Sequence, residues 1–184
     1  MSLFSNISKN FKKVCIVLSL TAIASTAQAQ LLNPNPGMSV TEQMMNSSFH
    51  RADNRQQQIQ EILDYAFQFK GVRYRYGSPG PTSFDCSGFT SYVFNRFGYS
   101  LSRSSRDQVN NGTRVPRNQE QPGDLVFFGG RANRPGIGHV GIVVSVDDNG
   151  FSFIHAATRT GITVSHSTDS YYRCRYRGAT RVVQ

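Results

Sequence analysis

The chain has 184 residues, of which 20 are lysine or arginine and 11 are aspartate or glutamate, so its formal net charge is +9. A basic protein of this kind suits an anionic polymer, a membrane surface or a nucleic acid, but the sequence contains no nucleic-acid-binding motif. A chain of this length builds its own hydrophobic core, which excludes a miniprotein held together by disulfides.

Residues 1–29 have the pattern of a secretory signal peptide. Lys9, Lys12 and Lys13 precede an uncharged run over residues 14–24, and the segment ends at Ala29. The run is too short for a membrane span, which takes about 20 residues. We expect cleavage near Ala29, no integral membrane span, and export to the periplasm or to the cell wall and extracellular space. Loss of the three lysines lowers the formal net charge from +9 to +6.

Residues 30–52 are predicted to be a flexible tether, because they are rich in Asn, Pro, Ser, Gln and Met and show no sustained hydrophobic period. One folded domain is predicted over residues 53–184. It opens with a helix that ends at Lys70-Gly71. The apolar residues of this helix recur at helical spacing and are Ile59, Ile62, Leu63, Ala66 and Phe67.

A second helix is predicted to begin at Cys86, with Asp85 as its N-cap and Gly98 after its last periodic residue. A cysteine in the first helical turn lies beside free backbone N–H groups and the positive end of the helix dipole. Both favour the thiolate and are expected to lower the cysteine pKa. The small Ser87 leaves room for a substrate carbonyl beside the sulfur. Cys86 is therefore a candidate nucleophile, and an inert core cysteine is the alternative.

Ser105 and Gln108 form a capping-box pattern for a short third helix. After it the hydrophobic period changes to two, which is typical of strands. Strands are predicted over Leu125–Phe128, His139–Val146, Phe151–His155, Gly161–Ser165, Tyr172–Tyr176 and Thr180–Val183. Helices followed by strands indicate an α+β fold, with N-terminal helices packed against a C-terminal antiparallel sheet.

A thiol nucleophile needs a base, and the base needs an orienting partner. His139, at the start of a strand between Gly138 and Gly141, is the candidate base, and His155 on the next strand is the candidate orienter. A structural strand histidine is the alternative for each. A turn centred on Asn149 would keep both rings on one face but offset them by about four residues, or ~13 Å. Contact between them requires a bulge or a strong twist.

Cys86 and Cys174 remain after signal-peptide cleavage, and in an oxidising compartment a disulfide between them is an alternative. A domain of this size does not need such a bond, and the surroundings of Cys86 are those of an activated thiol. No Cys or His cluster has the spacing of metal ligands. We therefore expect a free thiol, no metal and no cofactor.

Five motifs, in order, resemble those of the NlpC-type family of cell-wall cysteine peptidases. They are Tyr74-Arg75-Tyr76-Gly77, Asp85-Cys86-Ser87-Gly88-Phe89, Pro122-Gly123-Asp124-Leu125-Val126-Phe127-Phe128, Gly138-His139-Val140-Gly141-Ile142 and Phe153-Ile154-His155-Ala156. The resemblance runs from about residue 53 to the end. It implies a papain-like α+β fold and hydrolysis of amide bonds in peptidoglycan stem peptides, with Cys86 as nucleophile, His139 as base and His155 as orienter.

The resemblance also implies that Tyr74 points its hydroxyl into the site, where it helps the backbone N–H of Cys86 or Ser87 to stabilise an oxyanion. A half-buried strand tyrosine is the alternative. Asp85 is expected to be a cap or an ion-pair partner. The chain departs from the family at Ser78, where many relatives have a second glycine, and over residues 131–135, where the loop is longer and more basic. These departures leave the precise substrate open.

The leading hypothesis is an exported, monomeric murein endopeptidase that acylates Cys86 with a stem-peptide carbonyl and hydrolyses the thioester. Its partners are peptidoglycan stem peptides and not nucleic acid. An acyltransferase or amidase on the same residues is one alternative, favoured by a site that excludes water. A non-catalytic wall-binding module is another, in which Cys86 would be dispensable. The intact set of Cys86, His139 and His155 argues against the second.

Overall fold

The computed structural model describes residues 39–130 and 135–184. The predicted signal peptide and residues 131–134 of the basic loop lie outside these ranges. The chain divides into two units, residues 1–49 and residues 50–184. Of the first unit, residues 40–49 form the start of helix α1 (Val40–Phe67), and Ser39 immediately precedes it. In the described ranges, no helix combines the length and apolar character that a membrane span needs.

Helix α1 begins earlier than the sequence predicts. The backbone N–H and the hydroxyl of Ser39 each donate to the Glu42 carboxylate at 3.0 Å, and the Ser39 hydroxyl accepts from the Glu42 N–H at 3.3 Å. This capping box starts a segment without glycine or proline up to Lys70. Residues 40–52 are therefore helical rather than irregular, although all are exposed. The division into signal peptide, tether and peptidase domain stays a prediction.

The predicted apolar face of α1 is confirmed for four residues, since Ile59, Ile62, Leu63 and Ala66 are buried. It is wrong for Phe67, the last residue of the helix, which is exposed. Helix α2 (Cys86–Asn95) begins and is capped as predicted, with the Asp85 carboxylate accepting from the Gly88 N–H at 2.6 Å. Both helices contribute to the main core, in which the buried side chains of α2 include Phe89, Val93 and Phe94.

Helix α3 (Ser105–Gln108) is capped by Ser104, one residue before the predicted cap. The Ser104 hydroxyl accepts from the Asp107 N–H at 3.3 Å. Gln108 does not serve in the predicted capping box but is fully buried. Its side-chain amide donates to the carbonyl of Ser87 at 3.1 Å and accepts from the Thr90 hydroxyl at 2.8 Å. Gln108 thus ties α3 to the first turns of α2.

Within the described residues, six strands form one antiparallel sheet in the order β1-β6-β2-β3-β4-β5. They are β1 (Thr113–Val115), β2 (Leu125–Gly129), β3 (Ile137–Asp147), β4 (Gly150–Ala157), β5 (Gly161–His166) and β6 (Tyr176–Arg181). The predicted α+β fold, with helices first and an antiparallel sheet after them, is confirmed. The sequence analysis missed the short β1.

The prediction of a strand over residues 172–176 is wrong. Helix α4 (Ser170–Arg173) occupies the start of that stretch, and the single strand β6 replaces the two strands predicted near the C-terminus. Tyr172 packs its ring across Phe153 and His155, at centroid distances of 4.9 and 5.4 Å. Local alternation of aromatic residues could not reveal this tertiary packing.

The central strands are buried on both faces. In β2, Leu125 and Phe127 belong to the core that includes α1 and α2, while Val126 and Phe128 belong to a second cluster on the opposite face. Such alternation follows from the two-residue period of a strand. The second cluster also holds the Phe153 side chain, which lies beside His155.

The β3–β4 hairpin contains the bulge that contact between the two histidines requires. Asp147 pairs with Gly150 across the turn, and a bulge at Val144 then shifts the register so that Ile142 pairs with Ile154. Continued pairing puts residue 155 opposite residue 141, two residues from position 139. The turn is centred between residues 148 and 149 rather than on Asn149, so without the bulge residue 155 would lie opposite residue 142, with the two rings on opposite faces. Diagonal neighbours at this offset lie about 7–8 Å apart, within reach of long side chains.

A second bulge lies at Gly138, immediately before His139. Phe128 pairs with His139, whereas the next residue, Gly129, pairs with Ile137 and leaves Gly138 unpaired. A Cβ at Gly138 would lie 2.6 Å from a backbone atom of the segment after β2, so only glycine permits this approach. Because bulges redirect neighbouring side chains, this one helps to set the direction of the His139 ring.

Gly141→Ala is expected to lower the free energy of unfolding by about 1 to 3 kcal/mol, the usual result of overpacking a core. Its Cβ would lie 2.7 Å from the Phe153 ring and 3.1 Å from the Cβ of His155. Urea unfolding followed by circular dichroism measures the change. Gly130→Ala is the control, because its Cβ has no neighbour closer than 3.6 Å. Equal unfolding midpoints for Gly141→Ala and wild type would contradict the packing argument.

Candidate active site

Cys86 is half-buried at the start of α2, in a cleft of about 610 Å³. Backbone N–H groups of Ser87 and Val140 interact with its sulfur. Tyr74 and Gly138 line the same cleft. The two chain neighbours of His139 therefore both lie at the site: Gly138 lines the Cys86 cleft, and the N–H of Val140 reaches the sulfur.

The expected lowering of the Cys86 pKa is wrong in direction. Burial of the thiol raises its pKa above the ordinary value, and the neighbouring Asp85 carboxylate raises it further. The N–H groups of Ser87 and Val140 lower the pKa without reversing the shift. Desolvation depends on tertiary packing, which the sequence does not reveal, and here it outweighs the effect of the helix end on the thiol pKa. The thiol, rather than the thiolate, is the resting form at neutral pH.

The two predicted histidines are in contact. His139 Nε2 lies 2.9 Å from His155 Nδ1, with the ring planes 89° apart. The other nitrogen of His155, Nε2, lies 2.9 Å from the Ser165 hydroxyl and 3.3 Å from that of Tyr172. A row of side chains thus runs from His139 through His155 to two hydroxyl groups.

Both imidazoles are neutral at neutral pH. Desolvation lowers the pKa of His139 from 6.5 to about 4, although part of its surface stays exposed. Burial, and then the neighbouring His139, lower the pKa of His155 to about 3. His155 has no solvent-exposed surface. A neutral imidazole can accept a proton, so the site holds a base that is already in its accepting form.

Tyr74 and Ser87, the two predicted oxyanion donors, both line the cleft that contains Cys86. Burial, followed by the electrostatic influence of the neighbouring Cys86 and Asp85, raises the pKa of the Tyr74 hydroxyl. The hydroxyl therefore stays protonated and can donate a hydrogen bond. The Ser87 backbone N–H is directed at the sulfur.

The predicted role of Asp85 as a cap and ion-pair partner is confirmed. Arg103 Nη1 donates to Asp85 Oδ1 at 3.0 Å, and Nη2 donates to Oδ2 at 2.6 Å. Arg103 Nη1 also donates to the Ser87 hydroxyl at 3.2 Å. This bidentate pair holds the start of α2 and balances the carboxylate charge next to Cys86.

Sequence reasoning missed Arg103, Ser165 and Tyr172 at this site. Arg103 lies outside the five motifs, and Tyr172 was assigned to a strand. Ser165 was recognised as part of β5, where Thr163 pairs with His155. With that register known, two-residue alternation puts Ser165 on the same face as His155, but the register itself comes only from the structure.

Cys86 and Cys174 are both free thiols, so the alternative disulfide is not formed. Across residues 39–130 and 135–184, no three His, Cys, Asp or Glu side chains are grouped as metal ligands.

The model of the NlpC/P60 family matches residues 71–181. The chain belongs to the NlpC/P60 family. It is 39% identical over 123 residues to the murein DD-endopeptidase MepS/murein LD-carboxypeptidase of Escherichia coli K12, an alignment covering 66% of this chain and 62% of that protein. It is 50% identical over 88 residues to a probable endopeptidase p60 of Listeria grayi, covering 45% of this chain and 17% of that one.

A solved NlpC/P60 family protein from Bacillus cereus aligns with a TM-score of 0.63 at 26% identity, covering 68% of this chain and 40% of that chain. The papain-like α+β fold is thereby confirmed. The chain spans less than two thirds of the length of each of these three relatives.

The rate at which iodoacetamide alkylates Cys86 should rise with pH, and the midpoint of the rise should report a pKa above the ordinary thiol value of 9.0. The reason is that burial and Asp85 disfavour the reactive thiolate. Intact-protein mass spectrometry of Cys174→Ser follows this single thiol, and glutathione provides a reference profile. Fast alkylation that is flat between about pH 5 and pH 8 would instead reveal a preformed thiolate–imidazolium pair and contradict the pKa directions.

Proposed function

We propose that this protein is an exported peptidoglycan endopeptidase that hydrolyses an amide bond in stem peptides, with Cys86 as nucleophile, His139 as base and His155 as orienter. The observation that carries the proposal is the 2.9 Å contact between His139 Nε2 and His155 Nδ1, in a chain whose Cys86 opens a capped helix. The names of the Escherichia coli and Listeria relatives, a murein endopeptidase and a probable endopeptidase, support this substrate class.

The proposed role of His139 fixes the direction of the hydrogen bonds. If its Nδ1 accepts the thiol proton, its Nε2 carries a hydrogen and donates to Nδ1 of His155. His155 Nε2 then also carries a hydrogen and donates to the Ser165 hydroxyl at 2.9 Å. The Ser165 hydroxyl can accept this hydrogen bond, so it is compatible with the tautomer that the base role of His139 requires.

In the proposed reaction, His139 removes the Cys86 proton as the sulfur attacks the amide carbonyl carbon. The carbon–nitrogen bond breaks, the protonated His139 gives its proton to the leaving amine, and a thioester remains on Cys86. Water, activated by the neutral His139, then hydrolyses the thioester and restores the thiol. The Tyr74 hydroxyl and the Ser87 N–H would stabilise the oxyanion formed in each half of the reaction.

Hydrolysis is favoured over acyl transfer because Cys86 is half-buried rather than enclosed, so water can reach the thioester. A wall-binding module without catalysis would have no use for a desolvated, hydrogen-bonded histidine pair whose His139 is followed by Val140, the residue whose N–H reaches the Cys86 sulfur. Export rests on the pattern of residues 1–29, and the wall polymer is found outside the cytoplasm.

Cys86→Ser should lower peptidoglycan hydrolysis by roughly 10³-fold or more, as removal of a nucleophile generally does, while leaving thermal unfolding close to wild type. Purified peptidoglycan is digested and the released fragments are identified by mass spectrometry, which also identifies the cleaved bond. Cys174→Ser is the matched control and should retain activity, because that thiol is exposed and lies outside the cleft. Digestion by Cys86→Ser at the wild-type rate would refute the proposal, and fragments carrying an added amine would favour the acyltransferase.

A further inference from the structure

Arg106 lies in the Cys86 cleft but has no part in the proposed chemistry. It is an exposed residue of α3 that lines the same cleft as Cys86 and Gly138. Its Nε donates to the carbonyl of Ile137 at 3.3 Å. Since Ile137 precedes His139 by two residues, this bond holds the base of the guanidinium on the histidine side of the cleft.

The charge of Arg106 is unbalanced within the cleft. Among the described residues that line the cleft, only Asp85 carries a carboxylate. Both of its oxygens already accept hydrogen bonds from Arg103. Asp107 accepts from the Ser104 hydroxyl at 2.7 Å and lies outside the lining. No acceptor for Nη1 or Nη2 of Arg106 is found in residues 39–130 and 135–184.

Arg103, the other arginine that lines the cleft, cannot bind a further anionic group without losing its present contacts. Its Nη1 is shared between Asp85 and Ser87, and its Nη2 binds Asp85 at 2.6 Å. Arg106 uses only Nε, which leaves the paired edge of Nη1 and Nη2 free. That edge can donate two parallel hydrogen bonds to one carboxylate, the geometry in which arginine binds this group best.

We propose that Arg106 binds a free carboxylate of the stem peptide, on the residue next to the cleaved bond. The enzyme then prefers a peptide that carries this carboxyl group over the same peptide with the carboxyl converted to a primary amide. The inference rests on the proposed peptidase function and adds a substrate class to it.

Two synthetic stem peptides, identical except for that carboxyl or amide, test the preference through kcat/KM. The wild type should prefer the carboxylate by about tenfold, since a charge-assisted pair is about twice as strong as a neutral hydrogen bond. Arg106→Gln should reduce the preference to within about twofold, mainly through KM, and Arg106→Lys should keep part of it. Raising the salt concentration should also weaken the preference.

Arg96→Gln is the matched control, with the same loss of charge. Arg96 caps the far end of the ten-residue α2, about 15 Å along the helix from Cys86. This variant should keep the wild-type preference. Equal kcat/KM values for the two peptides with wild-type protein, or an unchanged preference in Arg106→Gln, would overturn the role of Arg106.

Peptide binding to Cys86→Ser, measured by calorimetry, separates this inference from the peptidase proposal. The carboxylate peptide should bind about tenfold more tightly than its amide, and the difference should vanish when Arg106→Gln is added. If that difference is found but wild-type protein cleaves neither peptide, the peptidase proposal fails and the role of Arg106 stands. Equal binding of the two peptides to Cys86→Ser overturns the role of Arg106 whatever the activity.

Discussion

The contact between His139 Nε2 and His155 Nδ1 is the interaction on which the site depends, and the backbone around it is shaped to permit it. A regular hairpin ending at the observed turn would pair residue 155 with residue 142 and put the two rings on opposite faces of the sheet. The bulge at Val144 brings them to diagonal positions, and the missing side chain of Gly141 leaves space for the Phe153 ring and the Cβ of His155. The irregularities in β3 are therefore features of the site rather than defects of the sheet.

Burial of this contact sets the electrostatics of the site. A buried imidazole avoids charge, so the low pKa values of about 4 for His139 and about 3 for His155 follow from their surroundings. Both nitrogens of His155 have partners, which limits the penalty of burying a polar ring. Asp85, the carboxylate beside Cys86, is neutralised by Arg103. The resting site therefore contains a thiol and two neutral rings, and charge develops only when a substrate reacts.

Local features of the site were predictable from the sequence. The helix that opens at Cys86, its Asp85 cap and the need for a bulge between the histidines all depend on short-range spacing. Three other features depend on tertiary surroundings and were not predictable. Desolvation reversed the expected pKa shift of Cys86, packing against His155 placed Tyr172 in a helix, and strand register brought Ser165 to His155. The polar composition of residues 40–52 also concealed the capping box that starts α1.

The most direct test of this account is ¹⁵N NMR of the histidine-labelled protein at neutral pH, with His155→Gln used to assign the signals. The account predicts that His139 and His155 are both neutral and carry their hydrogen on Nε2, because Nδ1 of His139 must be free to accept the thiol proton while its Nε2 donates to His155. A doubly protonated His139, or a hydrogen on its Nδ1, would contradict the account.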